Sequence, residues 1–277
     1  MSLTLVPTPI GNLDDITLRA LKVLKEADVI ACEDTRHSLQ LLNHYDISKP
    51  LISCYKENER ARAKEIIAML KEGKKIAMVS DAGTPGISDP GAALVQECLE
   101  NNIEVDCLPG ATAVIPALVM SGLSTEKFYF IGFLAGTDKE KKNSLEKIKE
   151  LQSTLIFYIA PHKLKKELDI LFLVLGERKF VLVKEISKIH QTRITGTLGN
   201  LTVDLDNIKG EFVCIVEGAT NVVQLDDDAW KEEAEKLNPY ATYYVGLFFD
   251  DNENNTIFCN SIIWCTTVRP MLKKFFM

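Results

Sequence analysis

The sequence predicts an α/β protein made of two α/β domains. Short apolar runs of strand length alternate along most of the chain with longer stretches whose apolar residues recur at helical spacing. Turns rich in glycine and proline join the two kinds of segment, as is typical where a buried strand passes into a helix. The chain has 277 residues, of which 46% are apolar, enough to fill the cores of about two domains of roughly 150 residues each.

The first domain is predicted to cover residues 1–120 as five strand–helix steps. Its strands are predicted at residues 3–7, 29–32, 51–54, 76–79 and 103–108. Helices are predicted at residues 16–27, 58–72, 90–101 and 114–120. A further helix is predicted after residue 37 and ends at residue 42. Gly73 is predicted to close the third helix. Strands that alternate with helices in this way usually pair in parallel, so the steps predict a parallel sheet covered by helices.

The second domain is predicted at residues 121–222 and begins with a linker at residues 121–125. Strands are predicted at residues 128–133, 154–159, 181–185 and 212–217, and helices at residues 139–151 and 161–173. Because helices separate only some of these strands, the pattern predicts a smaller α/β domain with mixed strand pairing. Residues 223–277 are predicted to form an atypical tail, acidic at first and then apolar, with an exposed acidic helix near residues 231–236.

Charge is unevenly distributed along the chain. The net charge is −7, yet residues 199–277 carry 6 Lys/Arg and 13 Asp/Glu, which leaves 26 of each in residues 1–198. Residues 139–195 carry 13 Lys/Arg against 7 Asp/Glu. This excess suits a surface that faces phosphate groups, although a solvated helix face gives the same pattern. The basic residues of this region include Lys139, Lys141, Lys142, Lys163, Lys165 and Lys166.

Several function classes lack their sequence signatures. The seven cysteines are scattered without a CxxC pair, so we expect reduced thiols and no metal site. The absence of phosphate-loop, GxGxxG and HExxH motifs disfavours kinase-like, dinucleotide-binding and zinc-protease functions. The sequence shows no basic leader and no apolar run of roughly 18 residues, and we therefore expect a soluble, cytoplasmic protein with no membrane partner.

The predicted strand at residues 76–79 ends in an unusual loop, SDAGTPGISDPG, at residues 80–91. Ligands of open α/β sheets bind beyond such strand ends. Pro90 suits the first turn of the following helix and Asp89 suits its N-cap, an arrangement that places free N–H groups beside the loop. The same composition also occurs in purely structural turns, and the loop alone does not decide between the two.

Seven short motifs, taken together, resemble one known family. They are PTPIGNLDDITLRAL at residues 7–21, EDTR at 33–36, SDAGTPGISDPG at 80–91, LPGATA at 108–113, GFL at 132–134, APHKL at 160–164 and KEISKIHQ at 184–191. In this order they resemble the tetrapyrrole-methylase-like superfamily of S-adenosylmethionine-dependent methyltransferases. Within it, the chain is most similar to the ribosomal RNA small-subunit methyltransferase I family. Seven matching motifs are far more specific than any single glycine-rich turn.

The resemblance implies the class III methyltransferase fold, in which the cofactor S-adenosyl-L-methionine binds in a cleft between two α/β domains. It also implies cofactor contacts from three loops of the first domain and from one strand end of the second. These contacts fall on Pro9, Ile10, Gly11, Asp81, Ala82, Gly83, Thr84, Ile87, Thr112, Ala113 and Ile159. Small residues let the backbone approach the cofactor closely, and the isoleucines suit an adenine pocket.

The reaction implied by the resemblance is 2'-O-methylation of a cytidine ribose in the decoding region of 16S rRNA, with the small ribosomal subunit as partner. Transfer to a hydroxyl needs an in-line oxygen and a base that removes its proton. Asp89, Glu185 and Glu33 are the catalytic candidates, and the alternative for each is a structural salt bridge. The candidate RNA contacts are Arg36, His37, Lys56, Arg60, His162, Lys163 and Lys184. The resemblance further implies a homodimer that needs no metal ion.

Two features depart from the family pattern. The motif after Leu108 contains Ala111 and Thr112 where the family usually has proline and serine, and Thr112 keeps the hydroxyl. The tail lacks the basic helical segment of many family members, which shifts RNA binding to the basic residues named above. Two alternative functions are a tetrapyrrole or other small-molecule methyltransferase of the same superfamily, and a non-catalytic RNA-binding factor in ribosome assembly. The EDTR and APHKL motifs argue against the small-molecule alternative.

Overall fold

A computed structural model of the chain describes residues 2–200 and 209–220. The first five strands form a parallel sheet in the order β3-β2-β4-β1-β5. Its strands are β1 Ser2–Leu5, β2 Val29–Cys32, β3 Leu51–Ser53, β4 Ile76–Val79 and β5 Glu104–Cys107. The helices that follow them are α1 Leu18–Glu26, α2 Thr35–His44, α3 Glu59–Lys71, α4 Ala92–Glu100 and α5 Val114–Ser121. The predicted parallel sheet is confirmed, and its five carboxyl ends lie along one edge.

The remaining strands form a second, mixed sheet in the order β6-β7-β10-β8-β9. Its elements are β6 Phe128–Phe133, α6 Asp138–Glu146, β7 Thr154–Ile159, α7 Leu164–Leu175, β8 Lys179–Lys184, β9 Thr192–Thr197 and β10 Phe212–Val216. β6 and β7 are parallel, and the other pairs are antiparallel. Because Phe212 pairs with both Ile159 and Lys184, the ends of β7 and β8 lie at one edge of this sheet.

The strand β9 is absent from the predicted elements. Its sequence, TRITGT, contains a single large apolar residue, Ile194, so no apolar run marks it as a strand. It nevertheless pairs with β8 along its whole length. Edge strands are defined by pairing with their neighbour more than by their own composition, and this pairing is a long-range property.

Helix α5 follows the first sheet in sequence but packs on the second. Val114, Ala117 and Leu118 form one buried cluster with residues of β7, β8 and β10. The helix therefore carries the loop after β5 to the face of the second sheet. Both sheets belong to one compact unit that ends at Ala219.

The N-terminus of α4 differs from the prediction. Gly91, with φ 136°, is the N-cap and the helix starts at Ala92, so the prediction that Asp89 caps it and Pro90 opens it was wrong. The buried carboxylate of Glu59, on α3, instead accepts hydrogen bonds from the N–H groups of Gly91 at 2.8 Å and Leu94 at 3.0 Å. A negative charge at this position also interacts favourably with the positive end of the helix dipole and so stabilises the helix. Asp89 therefore does not cap α4.

The acidic tail predicted at residues 223–277 lies outside the described residues. Across residues 2–200 and 209–220, no helix combines the length and the apolar character that a membrane span requires.

Candidate active site

Loops from both sheets meet at one place, which we call the junction. The first sheet contributes the loops that follow its strands, and the second contributes the ends of β6, β7 and β8. Three contacts between the sheets define the junction. They join Gly11 with Lys188, Asp15 with Ser187, and Ser88 with Gly132. All seven motifs found in the sequence therefore lie at or beside the junction.

Hydrogen bonds join three loops of the first sheet into one wall of the junction. Thr8 and Gly83 exchange two backbone hydrogen bonds of 2.9 Å, which tie the loop after β1 to the loop after β4. The Thr8 hydroxyl is buried and donates to the carbonyl of Ser80 at 3.1 Å. Thr84 Oγ1 donates to the carbonyl of Ala111 at 3.1 Å, which adds the loop after β5.

Two glycines are required for this wall. Gly83 has φ +80°, a conformation that favours glycine, and a Cβ at this position would contact Ile10 Cγ2 at 3.5 Å. A Cβ on Gly110 would lie only 2.6 Å from Cβ of Pro7, closer than two non-bonded carbons can approach. Gly83 is therefore favoured by its backbone conformation, and Gly110 by the close packing of Pro7.

The predicted cofactor residues of the first sheet lie together, whereas Ile159 is separated from them. Ile10 and Ala113 pack against the cluster between α5 and the second sheet, and Ile87 is exposed on the loop after β4. Ile159 is buried in the core on the α7 face of the second sheet, so its side chain does not join Ile10. The other predicted cofactor residues, Pro9, Gly11, Asp81, Ala82, Thr84 and Thr112, lie in the joined loops.

Three carboxylates gather beside the wall: Glu33, Asp81 and Asp89. Asp81 Oδ1 accepts a hydrogen bond from the N–H of Asp34 at 3.1 Å, which joins the loops after β2 and β4. Across the described part of the chain, none of the three carboxylates forms a salt bridge. Burial, together with the charges of Glu33 and Asp81, raises the pKa of Asp89 to about 6. Burial and the charge of Asp81 also raise the pKa of Glu33.

The carboxylate of Glu185, in contrast, is already engaged. Its Oε1 accepts hydrogen bonds from Lys188 Nζ at 3.0 Å and from the N–H of Glu211 at 2.8 Å. Burial opposes ionisation of Glu185, but these hydrogen bonds and the Lys188 charge outweigh it and lower the pKa of this carboxyl group. A base near neutral pH is most effective when its pKa is close to that pH. Of the two carboxyl groups, Asp89 has the pKa nearer neutrality, whereas Glu185 is held by hydrogen bonds within residues 185–211.

The predicted RNA contacts lie on loops and helix starts around the junction. Lys184 is half-buried, and the other six are exposed. Arg36 and His37 lie at the start of α2, Lys56 and Arg60 follow β3, His162 and Lys163 follow β7, and Lys184 ends β8. The Arg36 guanidinium also pairs with Asp34 at 2.9 Å and holds the pKa of that carboxyl group at about 2.

One lysine of the predicted phosphate-facing surface is not on the surface. Lys141 is buried between α6 and α7, where its Nζ lies 2.5 Å from Glu167 Oε1. The prediction that Lys141 faces phosphate groups was therefore wrong. Helical spacing turns this residue inward, whereas Lys139 and Lys142 on the same helix are exposed or half-buried.

Sequence analysis missed three residues of the junction. The side chain of Lys188 packs against Gly11. The rings of Phe133 and Tyr158 lie next to each other at the end of the second sheet. The motifs that contain Lys188 and Phe133 gave the only sequence signal, because contacts between the sheets leave no local pattern. Across the described ranges, no group of three or more His, Cys, Asp or Glu side chains has the arrangement of a metal site.

The fold and the loops at the junction define a class of two-sheet α/β methyltransferases. Diphthine synthase shares this fold, with a TM-score of 0.64 at 14% identity over 86% of this chain and 100% of that one. Uroporphyrin-III C-methyltransferase from Thermus thermophilus, solved with S-adenosylhomocysteine, matches with a TM-score of 0.55 at 17% identity over 78% of this chain and 97% of that one. The family model described as Tetrapyrrole (Corrin/Porphyrin) Methylases matches residues 2–202.

Curated relatives share far more sequence. A ribosomal RNA small subunit methyltransferase I from Halalkalibacterium halodurans is 44% identical over 256 residues, covering 91% of this chain and 87% of the relative. The protein of the same name from Thermotoga maritima is 43% identical and covers 78% of this chain and 98% of the relative. The chain belongs to the ribosomal RNA small subunit methyltransferase I family of the tetrapyrrole methylases, which confirms the resemblance seen in its motifs.

Proposed function

We propose that this enzyme transfers a methyl group from S-adenosylmethionine to the ribose 2'-oxygen of a cytidine in 16S rRNA. Its curated relatives are named as methyltransferases of small-subunit ribosomal RNA. The observation in the structure that carries the proposal is the junction itself. The joined loops beside the half-buried carboxylate of Asp89, together with the basic residues on the segments that follow the strands of both sheets, support it.

The residues of the junction fit the cofactor. S-adenosylmethionine has a positively charged sulfonium group and a positively charged amino group, and Glu33, Asp81 and Asp89 offer negative charge that no described basic side chain neutralises. Ile10 and Ala113 provide an apolar surface suited to adenine. When bound, the cofactor supplies a methyl group that is electrophilic because the sulfur carries a positive charge.

The protein's own residues orient the acceptor and take up its proton. Asp89 is the proposed base. Its pKa of about 6 leaves the group ionised at neutral pH, and this pKa is closer to 7 than that of an exposed carboxylate. Correct placement of the ribose hydroxyl supplies much of the rate. The exposed side chains of Arg36, Lys56 and Lys163 are proposed to hold backbone phosphates around that nucleotide.

The function is tested with labelled S-adenosylmethionine and small ribosomal subunits from a strain that lacks the modification. We expect label in 16S rRNA, at a cytidine whose 3'-phosphodiester bond resists alkali because its 2'-oxygen is methylated. The Asp89→Asn variant should transfer label far more slowly, whereas Asp106→Asn, which removes an exposed carboxylate paired with Arg19, should match wild type. Label in a tetrapyrrole instead, or RNA binding without any transfer, would support one of the two alternative functions.

We also propose a homodimer that acts in the cytoplasm, where small ribosomal subunits are assembled. The proposal of a dimer comes from the family resemblance, and Ile115 and Val119 provide an apolar surface one turn apart on α5 that could support it. Sedimentation equilibrium of the full chain measures the assembly, and a monomer at micromolar concentration would contradict this part of the proposal.

A further inference from the structure

A bulge in β6 determines where Phe133 points. Phe130 pairs with Ile156 and Gly132 pairs with Phe157, so β6 contains one extra residue relative to β7. Successive side chains of a strand point to opposite faces, so in a regular strand Phe130 and Phe133 would lie on opposite faces. The extra residue, with Gly132 at φ +71°, instead brings Phe133 level with Tyr158. Bulges commonly redirect a side chain beside an active site.

Phe133 ends a row of three aromatic rings. The centroid of the Tyr158 ring lies 5.1 Å from that of Phe130 and 5.4 Å from that of Phe133. Phe130 and Tyr158 pack against the cluster that also includes Ile10 and Ala113, two proposed cofactor residues. The row therefore runs from the cofactor side of the junction outward, and Phe133 at its end remains 56% exposed.

The same end of β6 lies beside the proposed base. Ser88 precedes Asp89, and its Oγ contacts Gly132, the residue before Phe133. Burial and the nearby charge of Asp89 also raise the pKa of Tyr158 to about 12, consistent with a carboxylate close to this ring. Phe133 thus combines an exposed ring with a position on β6 close to the loop that carries Asp89.

We propose that Phe133 is the platform on which the base of the target nucleotide stacks, with Tyr158 holding its ring in position. The inference rests on the proposed function and names a substrate contact of the same site. Proteins that read single-stranded RNA stack unpaired bases on aromatic side chains. Stacking on an aromatic ring tolerates any base, so this contact positions the nucleotide while other groups select it.

Variants at position 133 test the proposal. Phe133→Ala should lower kcat/KM for small subunits by about 5- to 150-fold, the range found when a stacking ring is removed. Phe133→Trp should retain activity, and Phe133→Leu should lose most of it, because leucine restores apolar volume but not a flat ring. Phe128→Ala is the matched control, since Phe128 is 42% exposed on the same strand at its opposite end. Its activity should equal that of wild type.

Two binding measurements, made with the full chain, accompany the kinetics. Calorimetry with S-adenosylmethionine should give the same Kd for wild type and Phe133→Ala. In filter binding, the affinity for small subunits should fall in Phe133→Ala and stay at the wild-type value in Phe128→Ala. A loss of cofactor affinity, dissociation of an oligomer in Phe133→Ala, or full activity in Phe133→Leu would overturn the platform. Unchanged kinetics in Phe133→Ala would overturn it while the proposed function stands. If wild type transferred no label but Phe133→Ala still weakened subunit binding, the proposed function would fail and the platform would stand.

Discussion

At Asp89, the proposed base, catalysis and stability would make opposite demands. Its carboxyl group has no salt-bridge partner among the described residues, and burial with two neighbouring carboxylates raises its pKa to about 6. The same environment that makes the group a better base makes its charged form costly in the folded protein. Both consequences can be measured on one substitution.

The first consequence is a pH dependence of the reaction. Asp89 must be ionised to accept a proton, so kcat/KM should fall as the pH is lowered through about 6. Asp89→Asn should lower kcat/KM by about 10²- to 10⁴-fold and remove this limb of the profile. The measurement is initial rRNA methylation rate against pH, with saturating cofactor. A wild-type profile that is flat between pH values of about 5 and 8 would show that Asp89 is not the base.

The second consequence is a gain in stability when the charge is removed. The folded pKa of Asp89, about 6, lies above its ordinary value, so the stability that its protonated form provides is lost as the pH rises through about 6. Asp89→Asn should therefore raise the melting temperature at a pH of about 7.5, and the gain should shrink as the pH is lowered toward about 4. Asp106→Asn, which breaks an exposed pair, is the control and should show no such gain. A shift that does not depend on pH would exclude this explanation.

At the scale of single residues, sequence motifs locate the loops better than the roles within them. The loop at residues 80–91 is predictable as a candidate ligand loop, because ligands of α/β sheets bind beyond strand ends, but only the other motifs separate it from a structural turn. The capping of α4 is not predictable, because its acceptor is Glu59, 32 residues before Gly91 and on another helix. A local pattern that suits Asp89 as a cap cannot show that a distant carboxylate already fills that position.

The start of α4 depends on this contact from α3. Glu59→Ala would leave the N–H groups of Gly91 and Leu94 without their acceptor inside the protein, at a cost of about 1–3 kcal/mol. Glu59→Gln keeps an acceptor and should lose clearly less. Urea unfolding measures both, and Glu65→Ala, which removes an exposed partner of Arg62, is the control with an expected loss below about 1 kcal/mol. Equal losses for Ala and Gln at position 59 would argue against a capping role.

Helices α6 and α7 are joined by two ion pairs of different environment. Lys141 and Glu167 are 2.5 Å apart and almost fully buried, whereas Lys166 and Asp138 are 2.9 Å apart and exposed. Lys141→Met leaves the buried carboxylate of Glu167 without its partner and should destabilise the fold by about 3–5 kcal/mol. Lys166→Met should cost less than about 1 kcal/mol.

A double substitution separates the charge from the packing at this buried pair. Lys141→Met combined with Glu167→Leu should recover most of the stability that Lys141→Met alone loses, because no unpaired charge remains. Urea unfolding of the two single variants and the double variant gives the comparison. If the double variant were as unstable as Lys141→Met, lost packing rather than an unpaired charge would be the cause.

At the scale of elements, every described strand except β9 could be predicted, and the clearest signals came from strands buried on both faces. β2 and β4 are buried at every position, and their apolar runs mark them in the sequence. β9 lies at the edge of its sheet and carries no such run. The bulge in β6 is hidden for a related reason: FYFIGF fits a regular strand, and only pairing with β7 reveals the extra residue.

For the whole molecule, the distribution of charge matters more than its sum. The net charge is −7, a value that disfavours RNA as a ligand, yet residues 1–198 are balanced with 26 charges of each sign. Within that balanced part, the basic side chains named as RNA contacts lie at strand ends, in the loops after them and at the starts of the helices that follow, on both sheets. Long-range attraction to RNA therefore depends on which face approaches the subunit.

This arrangement predicts how salt affects binding. Each lysine that contacts a phosphate releases counterions on binding, so Lys163→Ala should weaken binding of small subunits and reduce the slope of log K against log salt by about one. Lys22, exposed on α1 and paired loosely with Glu26 at 4.0 Å, is the matched control, and Lys22→Ala should leave the slope unchanged. Filter binding across a series of KCl concentrations measures both. Equal changes for the two variants would mean that the subunit responds to the overall charge of the protein, and the junction would then have no special part in attracting RNA.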